Sequence, residues 1–339
     1  MATQHSTTTL ASYEAVRHHA GAFSRADLGR LVVSGRDRAS YLQGLLTNDV
    51  QALGPGRGCY AAYLTAQGRM ITDLHVYELG DIMLLTLPFE VKDSVLAKLD
   101  RFIFSEDVQL GDVTSTFASR TVVGPEAAAI LARLLQGADA AALAALPEHG
   151  NLRAHFKDQS VIVLRVTDSG EPGFDVLIDA SGASTLAEAV RSAGAVDVES
   201  DLLDVLRIEA GVPKFHRDMD EDTIPLEAGI ESRAISLSKG CYVGQEVIIR
   251  VLHRGHGRVA RRLVGLVFES DRVPAPGTAA LADGREVGRV TSAVFSPALS
   301  RPIALGYLHR DFTEPGARVT IDGSNAVVSA LPFVKTSGA

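Results

Sequence analysis

Hydrophobic positions along the chain change period several times, and each change predicts an element. Residues 13–20 read as a short helix, and Arg30-Leu31-Val32-Val33-Ser34-Gly35 alternates and closes on glycine as a strand and turn. Asp37 is placed as an N-cap, and Ala39, Leu42, Leu45 and Leu46 then recur at helical spacing before the polar turn Thr47-Asn48-Asp49. Residues 58–64 and 70–77 predict two strands joined as a hairpin across Gln67-Gly68. A third strand over 82–87, a polar helix over 90–102 and strands at 108–110 and 117–123 follow. Pro125 near a first turn opens an alanine-rich helix, whose tail and connection fill 137–149. One more strand covers 155–156 and 161–166, and it pairs with 173–178 across Asp168-Ser169-Gly170. Helices at 183–193 and 202–210 complete this part, the second stopped by Gly211-Val212-Pro213.

Short strands alternating with single helices imply α+β sheets with helices on one face. From Val259 the texture changes to short strands at 263–268, 286–294, 303–307 and 318–321, separated by Gly and Pro, which reads as a small β-barrel or sandwich. A chain of 339 residues has room for two or three such units.

Composition narrows the function classes. Hydrophobic residues at 46% and charged residues at 22% describe a globular protein with a full core. No apolar run reaches the roughly 18–20 residues of a membrane helix, and the polar segment 1–9 does not read as a secretory signal, so a cytoplasmic location without membrane contact is expected. Lys plus Arg number 33 against 41 Asp plus Glu, a net charge of −8, which excludes a uniformly basic surface but not a local basic patch. The two cysteines, Cys59 and Cys241, form no C-x-x-C pair, so no disulfide framework, zinc site or iron–sulfur site is built from them alone.

The densest chemistry lies in Lys239-Gly240-Cys241-Tyr242-Val243-Gly244-Gln245-Glu246. Cys241 has the ingredients of an activated thiol: Lys239 two residues away, a helix start at Gly244, and His253 and His256 downstream. A buried, inert cysteine is the structural alternative. Lys239, Arg250, Arg254, Arg258, Arg261 and Arg262 form a basic run open to three readings: an anion site, contact with an RNA backbone, or a solvated face. His253-Arg254-Gly255-His256 lacks the glutamate of a zinc-protease helix, and the acidic segment 216–222 lacks the glycine and terminal glutamate of a calcium loop, so no metal site is expected.

The stretch Lys-Gly-Cys-Tyr-x-Gly-Gln-Glu resembles the signature of the YgfZ-type folate-binding proteins, relatives of the glycine-cleavage T-protein (aminomethyltransferase) that support iron–sulfur enzyme maturation. Leu42-Gln43-Gly44-Leu45-Leu46-Thr47-Asn48-Asp49-Val50, Gly68-Arg69-Met70-Ile71-Thr72-Asp73-Leu74, Arg207-Ile208-Glu209-Ala210-Gly211 and Pro225-Leu226-Glu227-Ala228-Gly229 occur in that family's order. The resemblance implies a T-protein-like cloverleaf: two interwoven α+β domains (1–52 with 140–233, and 53–139 with 234–258) and a C-terminal β-barrel (259–339), around a central cavity for tetrahydrofolate or a one-carbon derivative. It implies a pterin held by Glu209 beside Arg207, since one carboxylate accepts both adjacent pterin N–H donors. Asn48, Lys239, Tyr242, Gln245 and Arg250 are expected around the folate, with its charged tail toward the basic run, and Cys241 and Asp73 as the reactive groups.

The T-protein has two adjacent aspartates where this chain has Thr72-Asp73, and by alternation alone Asp73 is equally a strand-edge residue facing water. Glu209, read by spacing alone, is a solvated helix residue paired with Arg207 or a neighbour. The implied function is a folate-binding accessory factor with iron–sulfur clients or assembly proteins as partners. The alternatives are a folate-dependent aminomethyltransferase or demethylase, and an RNA-modification partner.

Overall fold

The computed structural model describes residues 7–253 and 258–335. Arg254 and His256 of the basic run lie outside the described residues, as do the segments 1–6 and 336–339.

The chain opens with α1 (Thr7–His18), the short strand β1 (Gly21–Ser24) and β2 (Leu28–Ser34). α2 (Arg38–Leu45), β3 (Arg57–Leu64), β4 (Met70–Glu78), β5 (Met83–Pro88), α3 (Lys92–Asp100) and β6 (Gln109–Asp112) follow. β2 to β6 form one five-stranded sheet in the order β3-β4-β5-β2-β6. β4 alternates buried and half-buried positions over its first six residues, as a strand covered on one face does. Asp37 stands at the N-cap position of α2, but its carboxylate accepts the backbone N–H of Asp107 at 2.8 Å and caps nothing, so it ties a distant loop to the helix start.

The second sheet is built from β7 (Phe117–Val123), β8 (Asn151–Phe156), β9 (Gln159–Val166), β10 (Gly173–Asp179) and β11 (Val196–Asp197) together with β1, in the order β11-β1-β7-β10-β9-β8. Residues 155–166, expected as one strand, are part of the β8–β9 hairpin. α4 (Ala127–Leu134) buries Ala127, Ile130 and Leu131, one stripe at i, i+3 and i+4. The alanine-rich stretch after it is a separate helix, α5 (Ala140–Ala144), because the Asp139 carboxylate accepts the Ala142 N–H at 2.7 Å and starts a new turn. α6 (Ala183–Ser192) and α7 (Ser200–Glu209) stand where periodicity places them.

The short helices α8 (Pro225–Ala228) and α9 (Glu231–Ala234), with α10 (Gln245–His253), return to the first sheet, whose core takes in Leu226, Ala234, Tyr242 and Ile248. The hydrogen-bonded sheets therefore divide the chain differently from the expected segments. Residues 28–112 with 215–253 form one unit, and 21–24 with 117–197 the other. β2 decides this, because it pairs with β5 and β6 and not with any strand beyond residue 112.

β12 (Arg261–Phe268), β13 (Ala279–Ala282), β14 (Arg285–Ser296), β15 (Arg301–His309), β16 (Arg318–Ile321) and β17 (Ser324–Ser329) close into a six-stranded barrel. β13 and β17 have weak sequence signals, and barrel closure supplies their pairing.

Candidate functional site

The signature segment 239–246 is mostly a packing device. The Lys239 ammonium donates to the carbonyls of Gln43, Leu46 and Asn48 at 2.6, 2.5 and 3.0 Å, so all three of its N–H bonds end on the backbone at the close of α2. Burial lowers its pKa to about 8, so at neutral pH the group is still mostly the ammonium that these three carbonyls require. Lys239 is therefore a clamp across the two motifs and not a cation facing a ligand. Its field falls on Cys59, whose thiol burial nevertheless pushes up to about 12. Tyr242 lies in the core of the first sheet, its hydroxyl without a hydrogen-bond partner among the described residues.

Gly244 explains the second glycine of the motif. Its φ is +85°, and a Cβ there would stand 2.5 Å from the Thr65 carbonyl and 3.3 Å from the Gly68 Cα. Gly244 and Gly68, one from each motif, thus meet where α10 docks on the β3–β4 turn. Gln245 begins α10 half-buried, and Cys241, like Glu246, stands exposed.

The basic run is largely neutralised where it is described. Arg250 pairs with Glu246 one turn away, Arg261 with Glu227 and Arg262 with Glu231. Arg258 is exposed.

Glu209 is fully buried, and the reading of it as a solvated glutamate paired with Arg207 is overturned. Its Oε1 accepts from Ser296, and its Oε2 from the Tyr13 hydroxyl at 2.9 Å and from Arg17, whose other arm binds Glu171. Arg207 points elsewhere, to Asp204 at 2.6 Å, Asp218 at 2.8 Å and Ser292 at 2.9 Å. The two residues of one motif therefore clamp α7 to α1, to the loop before β10 and to the barrel strand β14. Both Glu209 oxygens are engaged by protein donors, so a pterin fork on them requires those donors to move.

A different set of polar groups gathers where the two sheets meet. Strand alternation puts Asp73, His75 and Tyr77 on one face of β4, and Tyr60 on β3 stands opposite His75. The Tyr60 hydroxyl donates to Asp73 Oδ2 at 2.7 Å. Burial raises the Asp73 carboxyl to about 6, outweighing the Tyr60 hydrogen bond that pulls the other way. Asp73 is thus half-buried and electrostatically tuned, not a strand-edge group facing water.

His75 packs against the rings of Tyr60 and His149, with centroids 5.1 and 4.9 Å away. Burial lowers His75 to about 3 and lowers His149 as well, so both are neutral imidazoles. His149 Nδ1 is buried without a partner among the described residues. Asp168, in the turn between β9 and β10, accepts from Arg25 at 3.1 Å and lies 3.9 Å from His75 Nε2; Arg25 keeps its carboxyl ionised well below the usual range. Arg233 lies over the Tyr60 ring at 5.5 Å and bonds Glu148 at 2.7 Å. Asn48 ties the cluster to α2, donating to the Tyr60 and Arg233 carbonyls at 2.8 and 3.0 Å.

The sequence signals match known proteins along nearly the whole chain. Residues 2–239 match the GCVT N-terminal domain, and residues 261–335 match the glycine cleavage T-protein C-terminal barrel domain. The chain belongs to the glycine cleavage T-protein family. It is 36% identical over 328 residues to the aminomethyltransferase of Rubrobacter xylanophilus, covering 96% of this chain and 86% of that protein. The Geobacillus kaustophilus aminomethyltransferase is 33% identical over 315 residues, covering 91% and 85%. The crystal structure of aminomethyltransferase T from Bartonella henselae superimposes with a TM-score of 0.85 at 24% identity, covering 97% of this chain and 90% of that one. The T-protein fold with its closed barrel is therefore the fold of this chain.

The T-protein family binds tetrahydrofolate, as the motifs imply. The Asp73 cluster fits such a group. A pterin is a flat ring with adjacent donors and acceptors on its edge, and here are two carboxylates, two neutral imidazoles, a tyrosine ring and one orphaned buried nitrogen. His75, His149, Asp168, Arg233 and Arg17 were not singled out from sequence. They come from separate elements with no shared short motif, and only His75, two residues from Asp73 on a strand, carried a usable signal.

Proposed function

We propose that this T-protein family member binds tetrahydrofolate at the Asp73 cluster and carries out one-carbon transfer there, the reaction class named for the aminomethyltransferases it is similar to. One observation carries this reading: Asp73 is a half-buried carboxyl with a pKa of about 6, close to the pH at which a proton carrier works best. Tetrahydrofolate supplies the amine nitrogens that take up a one-carbon unit. Asp73 holds or releases a proton at its carboxyl, and Tyr60 fixes that carboxyl through Oδ2. His75 and His149 offer ring nitrogens to a polar edge without adding positive charge. Asp168, kept ionised by Arg25, accepts N–H donors. Thr72 replaces the second aspartate of the T-protein pair and is buried, so Asp73 acts alone.

Calorimetric titration with tetrahydrofolate and a single-turnover assay with an aminomethyl donor test this on wild type and Asp73→Asn. The wild type is expected to bind and turn over. Asp73→Asn is expected to bind within a few fold and to lose about 10²–10⁴ in rate, the range for a positioned acid or base. Wild type that does not bind tetrahydrofolate overturns the proposal.

A second reading is favoured by the signature loop. Lys239, Tyr242 and Gly244 are spent on packing, which leaves Cys241 presented to solvent on a fixed backbone. Under this reading the protein holds folate and acts on iron–sulfur clients through that thiol, as the resemblance to YgfZ-type proteins implies. Tight folate binding without turnover, together with loss of client maturation in Cys241→Ser, selects it.

A further inference from the structure

We infer that a cleft between the two α+β sheets binds an oxyanion, a carboxylate or a phosphate, on Arg30. The cleft has a volume of about 530 Å³ and is lined by Ser24, Arg25, Arg30, Lys92, Thr114 and Ser119 among others. It lies where β2 and β6 of one sheet face β1 and β7 of the other, and ligand sites favour such junctions.

Its three cations differ in one respect. Arg25 is paired with Asp27 and Asp168, and Lys92 with Asp93 and with Asp112, an acid of the cleft wall. Arg30, only 4% exposed, has no carboxylate within ion-pair distance among the described residues. Its guanidinium donates to two backbone carbonyls, Leu28 O at 3.4 Å and Arg25 O at 3.2 Å, both long. Its Nε is buried with no partner among the described residues. Asp175 and Asp27 act on it only through space, and Asp175 Oδ1 is already bound by Ser119 and Thr121.

A buried guanidinium with no carboxylate in direct ion-pair contact is costly to keep charged, and burial does lower its proton affinity. A ligand oxyanion supplies a directly paired charge, and Ser24 and Ser115 stand in the same wall, while the Thr114 hydroxyl is held by the Arg30 backbone. Phe89, 48% exposed in that wall, offers a face to a flat body behind the anion.

The test uses the full chain at constant ionic strength, titrated in a calorimeter and by thermal shift with two probes, sodium phosphate and sodium benzoate. Neither carries a pterin, so the result is independent of the folate reading. Saturable binding of phosphate assigns the site to free phosphate, and saturable binding of benzoate to an organic carboxylate. Either supports the inference if Arg30→Gln weakens it at least tenfold and Arg30→Lys weakens it less. Ser115→Trp, at the exposed rim, is expected to block the same binding without removing a charge, and it decides the matter if Arg30→Gln does not fold. Wild type that binds neither probe saturably, or binding that survives both Arg30→Gln and Ser115→Trp, overturns the inference.

Discussion

Glu209 and Asp73 are two buried or half-buried carboxylates within motifs of one family, and the fold treats them in opposite ways. Glu209 is given a cation and two hydroxyl donors, so its charge is compensated inside the protein. Asp73 is given one tyrosine hydroxyl and little else, and burial holds its proton up to about pH 6. A satisfied buried carboxylate supports structure, and an under-compensated one is available for proton chemistry. The contrast separates a clamp from the proposed site without reference to either motif.

Glu209→Ala is the strongest way to break that contrast. It leaves Arg17 with Glu171 alone and strands the Tyr13 and Ser296 hydroxyls, so it is expected to cost about 3–5 kcal/mol in denaturant unfolding, the range for opening a buried ion pair. If the variant is nearly as stable as wild type and has instead lost tetrahydrofolate binding, Glu209 is a ligand group and the distinction fails.

Lys239→Met comes next. Three carbonyls lose their donor at once, so a loss of roughly 2–4 kcal/mol is expected by the same measurement. A change below about 0.5 kcal/mol, the size of an ordinary surface substitution, would show that water replaces the ammonium and that the clamp is dispensable.

These two residues show how far the sequence could be read. The order of helices and strands was legible because each has its own period, and the barrel because its strands are short and separated by Gly and Pro. Sheet membership was not, since the pairing of β2 with β5 depends on contacts between residues fifty or more positions apart. The signature motif was visible as a motif, but the fate of its side chains was hidden, because Lys239 reaches back nearly two hundred residues to find its acceptors. Asp73 was visible as a residue, while its tuning comes from burial that no local pattern encodes.

Asp73→Asn sharpens the contrast from the other side. The folded state raises this pKa from 3.8 to about 6, so it binds more protons than the unfolded state across that window. The contribution of Asp73 to wild-type stability is present below pH 3.8 and is lost as pH rises through about 6. Asparagine does not ionise and keeps an oxygen for Tyr60. The variant is therefore expected to exceed wild type by about 1–2 kcal/mol above pH 6, after discounting for partial exposure, and to converge with it near pH 4. Stability that gains nothing at pH 7 would mean that the carboxylate is better solvated than its burial suggests.

The smallest expected effect belongs to Arg250→Ala. Arg250 sits one turn from Glu246 on the exposed face of α10, and the pair is open to water on both sides. Such pairs contribute about 0.3–0.5 kcal/mol, so unfolding should shift by no more than that, and the shift should vanish in high salt. Tetrahydrofolate affinity should be unchanged, because the charged tail expected near the basic run finds Arg250, Arg261 and Arg262 already held by glutamates. A drop in affinity of tenfold or more would place the tail on α10 after all. It would also mean that the Glu246 pair opens on binding, since a carboxylate ligand and Glu246 compete for the same guanidinium.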